Sequence, residues 1–176
     1  MFSKFVTSFV LALGLIVPAA ASDYYVGVSD IDTELTGGLA LEDGGYALTI
    51  GTKLNLVEAF DTAAEFTYSD FVDKTFTAEG YEFGFAADSI DLSLVMSRAY
   101  GSFRPFVRLG ISQMDSTFTE FGESSGEEKE DETSDYYGFG VDFEANDRVF
   151  IRLEMTETDV DDTTVELTKF GVFTRF

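Results

Sequence analysis

The side chains of this chain restrict its chemistry, because its 176 residues include no His and no Cys. This composition excludes zinc sites with imidazole or thiolate ligands, Ser-His-Asp triads and cysteine nucleophiles. Carboxylates are abundant, with 33 Asp and Glu against 11 Lys and Arg. Two neighbouring carboxylates could act as general acid and base, but such pairs arise by chance in so acidic a chain. We therefore predict no catalytic residue and no cofactor.

Four charged residues occupy polar positions within segments that otherwise alternate with apolar residues, namely Glu65, Arg108, Arg152 and Glu154. Inside a small barrel they would meet in a lumen only wide enough to be filled by side chains. They could form a gate or narrow ion path, or a structural network of ion pairs that compensates buried charge. We favour the structural network, because charged residues are seldom buried unless they are paired.

An acidic run has Lys129 as its only basic residue and contains Glu120, Glu123, Glu127, Glu128, Glu130, Asp131, Glu132 and Asp135. Carboxylate oxygens are the ligands that Ca²⁺ and Mg²⁺ prefer. No D-x-[DN]-x-[DN]-G frame occurs here or around Asp159, so no dedicated metal site is predicted. We expect a solvated, mobile loop that binds divalent cations weakly at most.

Charge and hydropathy restrict the class of protein to which the chain can belong. A formal charge of -22 excludes a nucleic-acid binder, which needs a basic face to displace counterions from phosphates. Hydrophobic residues make up 45% of the chain and aromatic residues 15%, so a packed protein rather than disorder is expected. The length corresponds to a single domain.

Apolar residues recur at every second position in eight segments, whereas the intervening positions are small, polar or charged. This period of two predicts eight β-strands, each with one apolar and one polar face. The segments fall at residues 24–28, 46–50, 64–68, 90–96, 107–111, 137–143, 149–155 and 170–176. Alternation alone does not decide which face points inward.

The connections between these segments favour an apolar exterior. Brief connections at residues 55–58, 98–103 and 144–147 alternate with long ones at residues 31–45, 70–88, 113–134 and 157–165. Short turns that alternate with long loops are typical of outer-membrane barrels. Basic residues also concentrate on the polar face of the strands, at Lys53, Arg104, Arg108, Arg152, Lys169 and Arg175. We therefore predict an all-β, eight-stranded antiparallel up-and-down transmembrane barrel.

Residues 1–21 have the pattern of a cleaved secretory signal peptide. Lys4 precedes an apolar run at residues 5–17, and Ala19 and Ala21 have the A-x-A spacing of a cleavage site. The run is shorter than the ~18 to 20 residues of a membrane-spanning helix. We expect export through the inner membrane, with residues 22–176 forming the barrel domain.

Residues 169–176 resemble the C-terminal assembly signal of bacterial outer-membrane β-barrels. Lys169, Gly171 and Phe176 match its polar, glycine and aromatic positions, whereas Thr174 stands where an aromatic residue is usual. Residues 64–71, 104–110 and 151–154 are similar to strands of the small eight-stranded family that includes the OmpA membrane domain, OmpX and the opacity-type proteins. The resemblance covers essentially all of residues 22–176 and specifies architecture better than activity.

The resemblance implies a monomer in the outer membrane, surrounded by lipid and lipopolysaccharide and recognised by the barrel-assembly machinery. The enzymes known to resemble it in architecture use an active-site His, which this chain lacks, so a non-enzymatic role in surface interaction or envelope integrity is expected. The alternative is a soluble periplasmic barrel that binds an apolar ligand in its interior, as lipocalins do.

Overall fold

The computed structural model describes residues 24–37, 41–78, 81–121, 126–160 and 163–176. Each strand pairs antiparallel with the next, and the last pairs with the first, so the sheet closes into a barrel. The prediction of an eight-stranded antiparallel up-and-down barrel is confirmed. The signal peptide predicted at residues 1–21 lies outside the described residues. The strands are β1 Tyr24–Gly37, β2 Leu41–Val57, β3 Phe60–Ala78, β4 Tyr81–Ser97, β5 Phe103–Phe121, β6 Gly126–Glu144, β7 Val149–Val160 and β8 Thr163–Arg175.

Apolar side chains cover the outside of the barrel. Leu109 and Phe139 are 65% and 60% exposed, whereas the neighbouring Arg108 is 2% exposed. Successive side chains of a strand point to opposite faces of the sheet, so the lumen receives the polar set. A lipocalin-like barrel would have the opposite arrangement, and this alternative is therefore not favoured. In the part of the chain that the structure describes, no helix is long and apolar enough to cross a membrane.

The outward apolar side chains form a lipid-facing band, which on β5 runs from Phe103 through Val107 and Leu109 to Ile111. At ~3.3 Å per residue and a tilt of ~40°, this stretch rises about 23 Å, close to the ~25 Å band of outer-membrane barrels. Aromatic side chains border the band. The lower girdle contains Tyr24, Phe60, Tyr100, Phe103 and Phe143, and the upper girdle contains Tyr46, Tyr68 and Tyr137.

The three predicted brief connections are confirmed at the lower end of the barrel, between β2 and β3, β4 and β5, and β6 and β7. In the second of these turns Gly101 has a φ of 66°, a left-handed conformation that favours glycine. In the third, the side-chain oxygen of Asn146 accepts hydrogen bonds from the backbone N–H groups of Arg148 and Val149 at 2.9 and 3.0 Å.

The four long connections were predicted as loops, and this prediction is wrong for most of their length. Strands β5 and β6 keep their register from Phe103↔Phe143 to Glu120↔Gly126, through most of the acidic run. The strands contain 12 to 19 residues rather than the ~10 that a membrane crossing requires. Beyond the lipid the outward face meets water and becomes polar, whereas inward residues such as Ile31, Leu35 and Val165 are buried. The outward apolar alternation therefore ends while the backbone ladder continues.

The lumen contains two apolar layers with buried charged residues between them. The upper apolar layer, toward the long hairpins, consists of Ile31, Leu35, Ala47, Phe71, Val72, Ala87, Met114, Val165 and Leu167. The lower apolar layer, toward the brief turns, consists of Tyr25, Ala63, Val95, Phe106, Phe150 and Phe173. In the lower layer the rings of Phe150 and Phe173 stack at 4.9 Å between centroids.

Candidate functional site

The structure brings the four charged residues that the sequence singled out into one buried cluster. Arg108 forms ion pairs with Glu65 and with Glu154, the latter between Nε and Oε1 at 2.7 Å. Arg152 reaches the other side of Glu65, with Nη1 at 2.8 Å from Oε1. The side chains of Glu65 and Arg108 are 0% and 1% exposed. These pairs therefore form away from solvent, where each charge depends on its partner.

Asp142 on β6 completes this charge cluster. Its two carboxylate oxygens accept hydrogen bonds from Nε and Nη2 of Arg152 at 2.7 and 3.1 Å, a bidentate arrangement. The sequence placed Asp142 on the polar face of its strand but not in the network, because its contact with Arg152 depends on the register of β6 and β7. Three carboxylates now share two guanidinium groups, which gives the cluster a formal charge of -1.

Glycine stands opposite each of the four singled-out residues on a neighbouring strand. A Cβ atom at Gly51 would overlap the ring of Tyr25, and one at Gly140 would overlap the ring of Phe106. Glycine at these positions therefore leaves room for long side chains to lie across a narrow lumen. The sequence shows these glycines, but only the register reveals their partners. The pairs are Gly51↔Glu65, Arg108↔Gly138, Gly140↔Glu154 and Arg152↔Gly171.

Aromatic side chains of the lower apolar layer contact the charge cluster. The hydroxyl group of Tyr25 donates a hydrogen bond to Glu65. The guanidinium carbon of Arg152 lies 4.5 Å from the ring centroid of Phe106 and 4.6 Å from that of Phe173. A cation over an aromatic ring is attracted by the negative face of the ring. The lower apolar layer and the charge cluster thus form one continuous packing unit.

The three residues of the predicted assembly signal occupy different places. Lys169 is buried in the lumen, where its Nζ donates to the hydroxyl oxygen of Tyr136 at 3.3 Å. Gly171 lies opposite Arg152 on the neighbouring strand. Phe176 is 47% exposed, and its backbone N–H donates to the carbonyl oxygen of Tyr24 at 2.9 Å. This last bond extends the contact between β8 and β1 that closes the barrel.

Small cavities remain inside the barrel above and below the charge cluster. The upper cavity, of about 10 Å³, is lined by residues that include Asp91 and Tyr136. Ser112 donates a hydrogen bond to Asp91 there at 2.6 Å. The lower cavity, of about 30 Å³, is lined by residues that include Arg104 and Arg175. One water molecule needs ~10 to 15 Å³, so side chains occupy most of the space within the described barrel.

Four strands continue above the upper girdle as a projecting sheet, formed by residues 72–78, 81–88, 115–121 and 126–135. Strand β7 is in register with β6 only from Tyr136↔Thr158 downward. Among the described residues, 126–135 therefore pair on one side only, with β5. This edge strand is about 33 Å long at ~3.3 Å per residue and presents a row of backbone groups that can pair with another chain.

The projecting sheet combines aromatic and acidic side chains. Phe83 packs against Phe118 and Phe76, with ring centroids 5.5 and 5.8 Å apart. Within the edge strand Lys129 pairs with Glu127 at 2.7 Å, and this hydrogen bond raises the pKa of Lys129. The carboxylates of the edge strand belong to Glu127, Glu128, Glu130, Asp131, Glu132 and Asp135.

A row of aspartates crosses the base of the projecting sheet, above the lipid-facing band. Its register pairs are Asp70↔Asp88, Asp88↔Asp115 and Asp115↔Asp131. Partial burial and the charges of Asp115 and Asp70 raise the pKa of Asp88, and partial burial also raises the pKa of Asp70. In the described ranges, no group of three or more carboxylates is arranged to hold a metal ion.

Comparisons with known proteins agree with this architecture. Residues 7–176 match the family described as "Outer membrane protein beta-barrel domain". Ail, the attachment invasion locus protein of Yersinia pestis, has a similar fold with a TM-score of 0.65 and 18% identity, over 89% of this chain and 99% of Ail. No match is found by sequence among curated proteins.

Two further solved structures are similar in fold. Neisserial surface protein A has a TM-score of 0.62 and 14% identity, over 87% of this chain and 97% of that protein. The N-terminal β-barrel domain of Pseudomonas aeruginosa OprF has a TM-score of 0.59 and 14% identity, over 86% of this chain and 97% of the domain. At such identities the likeness concerns the fold alone.

Proposed function

The chain belongs to the outer membrane protein β-barrel family, and we propose that it is a non-enzymatic barrel with a closed lumen whose projecting sheet binds cationic polypeptides at the cell surface. The observation that carries the proposal is the acidic edge strand at residues 126–135, which pairs with β5 alone among the described residues. Membership of the family implies a location in the outer membrane.

Three successive barriers support the closed lumen. The upper apolar layer contains Phe71, which is 1% exposed, and the lower layer contains Phe150 and Phe173, which are 1% and 2% exposed. Between them an ion would have to separate buried pairs such as Arg108 with Glu65. Removing one partner of a buried pair costs about 3 to 5 kcal/mol. The charge cluster therefore acts as a structural plug rather than a gate.

The unpaired edge supports binding by strand addition. An extended peptide can add itself to an exposed sheet edge, where main-chain hydrogen bonds give affinity and alternate side chains give specificity. The edge strand carries six carboxylates and one basic residue, Lys129, so a cationic peptide complements it. The cluster of Phe76, Phe83 and Phe118 provides an apolar surface on the same sheet.

The charge of the chain also separates its ligands from those of one structural relative. A solved structure of Ail contains the heparin analogue sucrose octasulfate. A polysulfated ligand is repelled by a chain of formal charge -22, because like charges across an interface suppress association. We infer that polyanions are not ligands of the projecting sheet.

Binding of a nine-residue peptide of alternating Lys and Val to the folded chain in maltoside micelles tests this function. The deletion variant replaces residues 115–131 with Asn-Gly, which joins the register partners Met114 and Glu132 by a two-residue hairpin turn and removes four of the six carboxylates of the edge strand. The matched control replaces residues 77–82 with Asn-Gly and joins Phe76 to Phe83, which shortens the other long hairpin.

We expect the peptide to bind the unaltered chain and the control, to lose most of its binding to the deletion variant, and to weaken between low salt and ~0.15 M salt. Equal binding to both variants, or equal binding of a peptide of alternating Glu and Val, would contradict the proposal. Isothermal titration calorimetry measures all these affinities in one buffer system.

The remaining partners are also proposals. Residues 1–21 would direct export and be removed, and Lys169, Gly171 and Phe176 would be read by the barrel-assembly machinery. The barrel would be a monomer in contact with lipid and lipopolysaccharide. Divalent cations would bind weakly between lipopolysaccharide phosphates and the carboxylates of the acidic run from Glu120 to Asp135, since carboxylates suit Ca²⁺ and Mg²⁺.

A further inference from the structure

The lower end of the lumen concentrates the basic residues of a chain that has few. Of the 11 Lys and Arg residues, one is Lys4, which leaves ten in the remainder of the sequence. Four of these ten line the lower cavity of about 30 Å³, together with Asp61 and Asp142; the four are Lys53, Arg104, Arg152 and Arg175. The positive charge of these side chains requires negative partners nearby.

Two of these cations share a single carboxylate. Arg104 and Arg175 both contact the same oxygen of Glu144, at 2.9 and 3.0 Å. Asp61 lies 3.9 Å from Arg104 and its side chain is 55% exposed. Within the described ranges Lys53 forms no ion pair. Arg104, Arg175 and Lys53 therefore have only Glu144 and Asp61 beside them, and the charge cluster above, of formal charge -1, offsets their remaining positive charge from a greater distance.

A hydrogen-bond donor is also left without an acceptor. The Nε group of Arg104 is buried and has no acceptor among the described residues. The side chains of Arg104 and Arg175 are 16% and 14% exposed, so water reaches them only in part. A buried donor without an acceptor costs about 1 to 3 kcal/mol. An oxyanion in the cavity would accept a hydrogen bond from this donor and could also contact the guanidinium group of Arg175.

We propose that the lower cavity is a binding site for a small oxyanion of the phosphate type, held by Arg104, Arg175 and Lys53. The planar fork of a guanidinium group matches the spacing of phosphate oxygens. A cavity of about 30 Å³ holds roughly two water molecules or one tetrahedral oxyanion in their place. The guanidinium of Arg175 also lies 4.6 Å from the ring centroid of Phe150, which fixes its position.

This site is separate from the projecting sheet, so it does not depend on the proposed function. The phosphate could be a free inorganic ion or part of a phospholipid headgroup at the lower rim of the barrel. Both present the same oxygens to Arg104 and Arg175. They differ in charge and size, and a comparison of the two as ligands therefore identifies the source.

Titration of the folded chain with inorganic phosphate in maltoside micelles tests the proposal, with sodium chloride holding the ionic strength constant. Selective ¹⁵N labelling of the six arginines resolves the Nε–H signal of each one in the NMR spectrum. We expect saturable shifts at Arg104 and Arg175. The exposed Arg98 and Arg148 in the lower turns should shift only linearly, as sites of general screening.

Lys53→Gln should weaken the saturable binding about tenfold, the equivalent of one charge-assisted hydrogen bond, and Arg148→Gln should leave it unchanged. Lys53 is exposed at the mouth, so its replacement leaves the buried pairs intact and the barrel folded. A second titration uses dihexanoyl phosphatidylglycerol below its micellar concentration. Tighter binding of this lipid identifies a headgroup site, and tighter binding of inorganic phosphate identifies a free-ion site. Shifts at Arg104 and Arg175 that are linear and no larger than those at Arg98 and Arg148, with both ligands, would overturn the proposal.

Discussion

Replacing Arg108 with Met should destabilise the barrel by about 3 to 5 kcal/mol, because the change leaves a buried charge without its partner. The structure identifies that charge as Glu154 rather than Glu65. Glu65 retains its contacts with Arg152 and with the hydroxyl of Tyr25. Glu154, whose side chain is 3% exposed, has Arg108 as its only ion-pair partner within the described residues.

Because Glu154 is the carboxylate left without a partner, the two double variants should differ in stability. In the Arg108→Met background, Glu154→Gln should restore about 1 to 3 kcal/mol, since it removes the uncompensated charge. Glu65→Gln should restore less in the same background, because it also takes a carboxylate from Arg152. The two double variants have the same formal charge, so they form a matched pair that separates position from net charge.

Urea unfolding in micelles measures these differences. The chain has no Trp, so far-ultraviolet circular dichroism and the mobility shift on unheated gels report the folded fraction. A cost below about 1 kcal/mol for Arg108→Met, which is the range of exposed ion pairs, would refute the reasoning. Greater rescue by Glu65→Gln than by Glu154→Gln would show that the ion pairs are distributed differently.

Three further outcomes follow from the structure. Leu94→Arg in the lipid-facing band should lower the free energy of unfolding in bilayers by about 2 to 4 kcal/mol, as measured with urea. Leu94→Gln should cost less, and Ser93→Arg, inside the lumen, should destabilise by crowding. Equal costs for Arg and Gln at position 94 would contradict the lipid-facing assignment. Asp88 binds its proton more tightly in the folded state, since its pKa is raised above 3.8, so its contribution to stability falls as the pH rises from 3.8 through the raised value. Asp88→Asn should therefore stabilise the barrel at pH 7 by up to about 1 kcal/mol and have little effect below pH 3.8, and an unchanged pH profile would refute this. Phe176→Ala should lower the fraction assembled in envelopes without lowering export, and Thr174→Tyr should raise it, as quantified on unheated gels; normal assembly of Phe176→Ala would contradict the proposed signal.

The eight strands and their outward face follow from the sequence because lipid imposes a strict period of two. Leu92 and Leu94 face outside while Ser93 faces the lumen. The alternation predicted that they lie on opposite faces, and the short turns alternating with long connections predicted which face is outward. The same parity brought Glu65, Arg108, Arg152 and Glu154 to one side of the sheet. Parity alone specifies the cluster only when the barrel is narrow enough for side chains of non-adjacent strands to meet.

The register between neighbouring strands could not be predicted from the sequence. The contact of Asp142 with Arg152, and the position of Gly51 opposite Glu65, depend on which residues of two strands are partners. A shift of one residue would change every partner and turn each side chain to the other face. The register of a hairpin depends on the type and length of its turn, which the alternation of apolar residues does not specify.

The projecting sheet was missed for a different reason. Residues 126–135 are rich in Glu and Asp, which are disfavoured in strands, and water on both faces removes the apolar alternation. The partner strand contains Ser116, Thr117, Phe118 and Thr119, of which Thr and Phe favour strands. Pairing with this strand, continued upward from the barrel, extends the hairpin where local preference alone predicts a loop.

Single-channel recording in planar lipid bilayers tests the closed lumen most directly. The mobility of the chain on an unheated gel first shows that it is folded, so that a lack of current is not mistaken for a lack of inserted protein. We predict no steady conductance, because two apolar layers and the ion pairs of Arg108 and Arg152 fill the lumen. Stable current steps of the size that porins give would contradict the account of a plugged barrel.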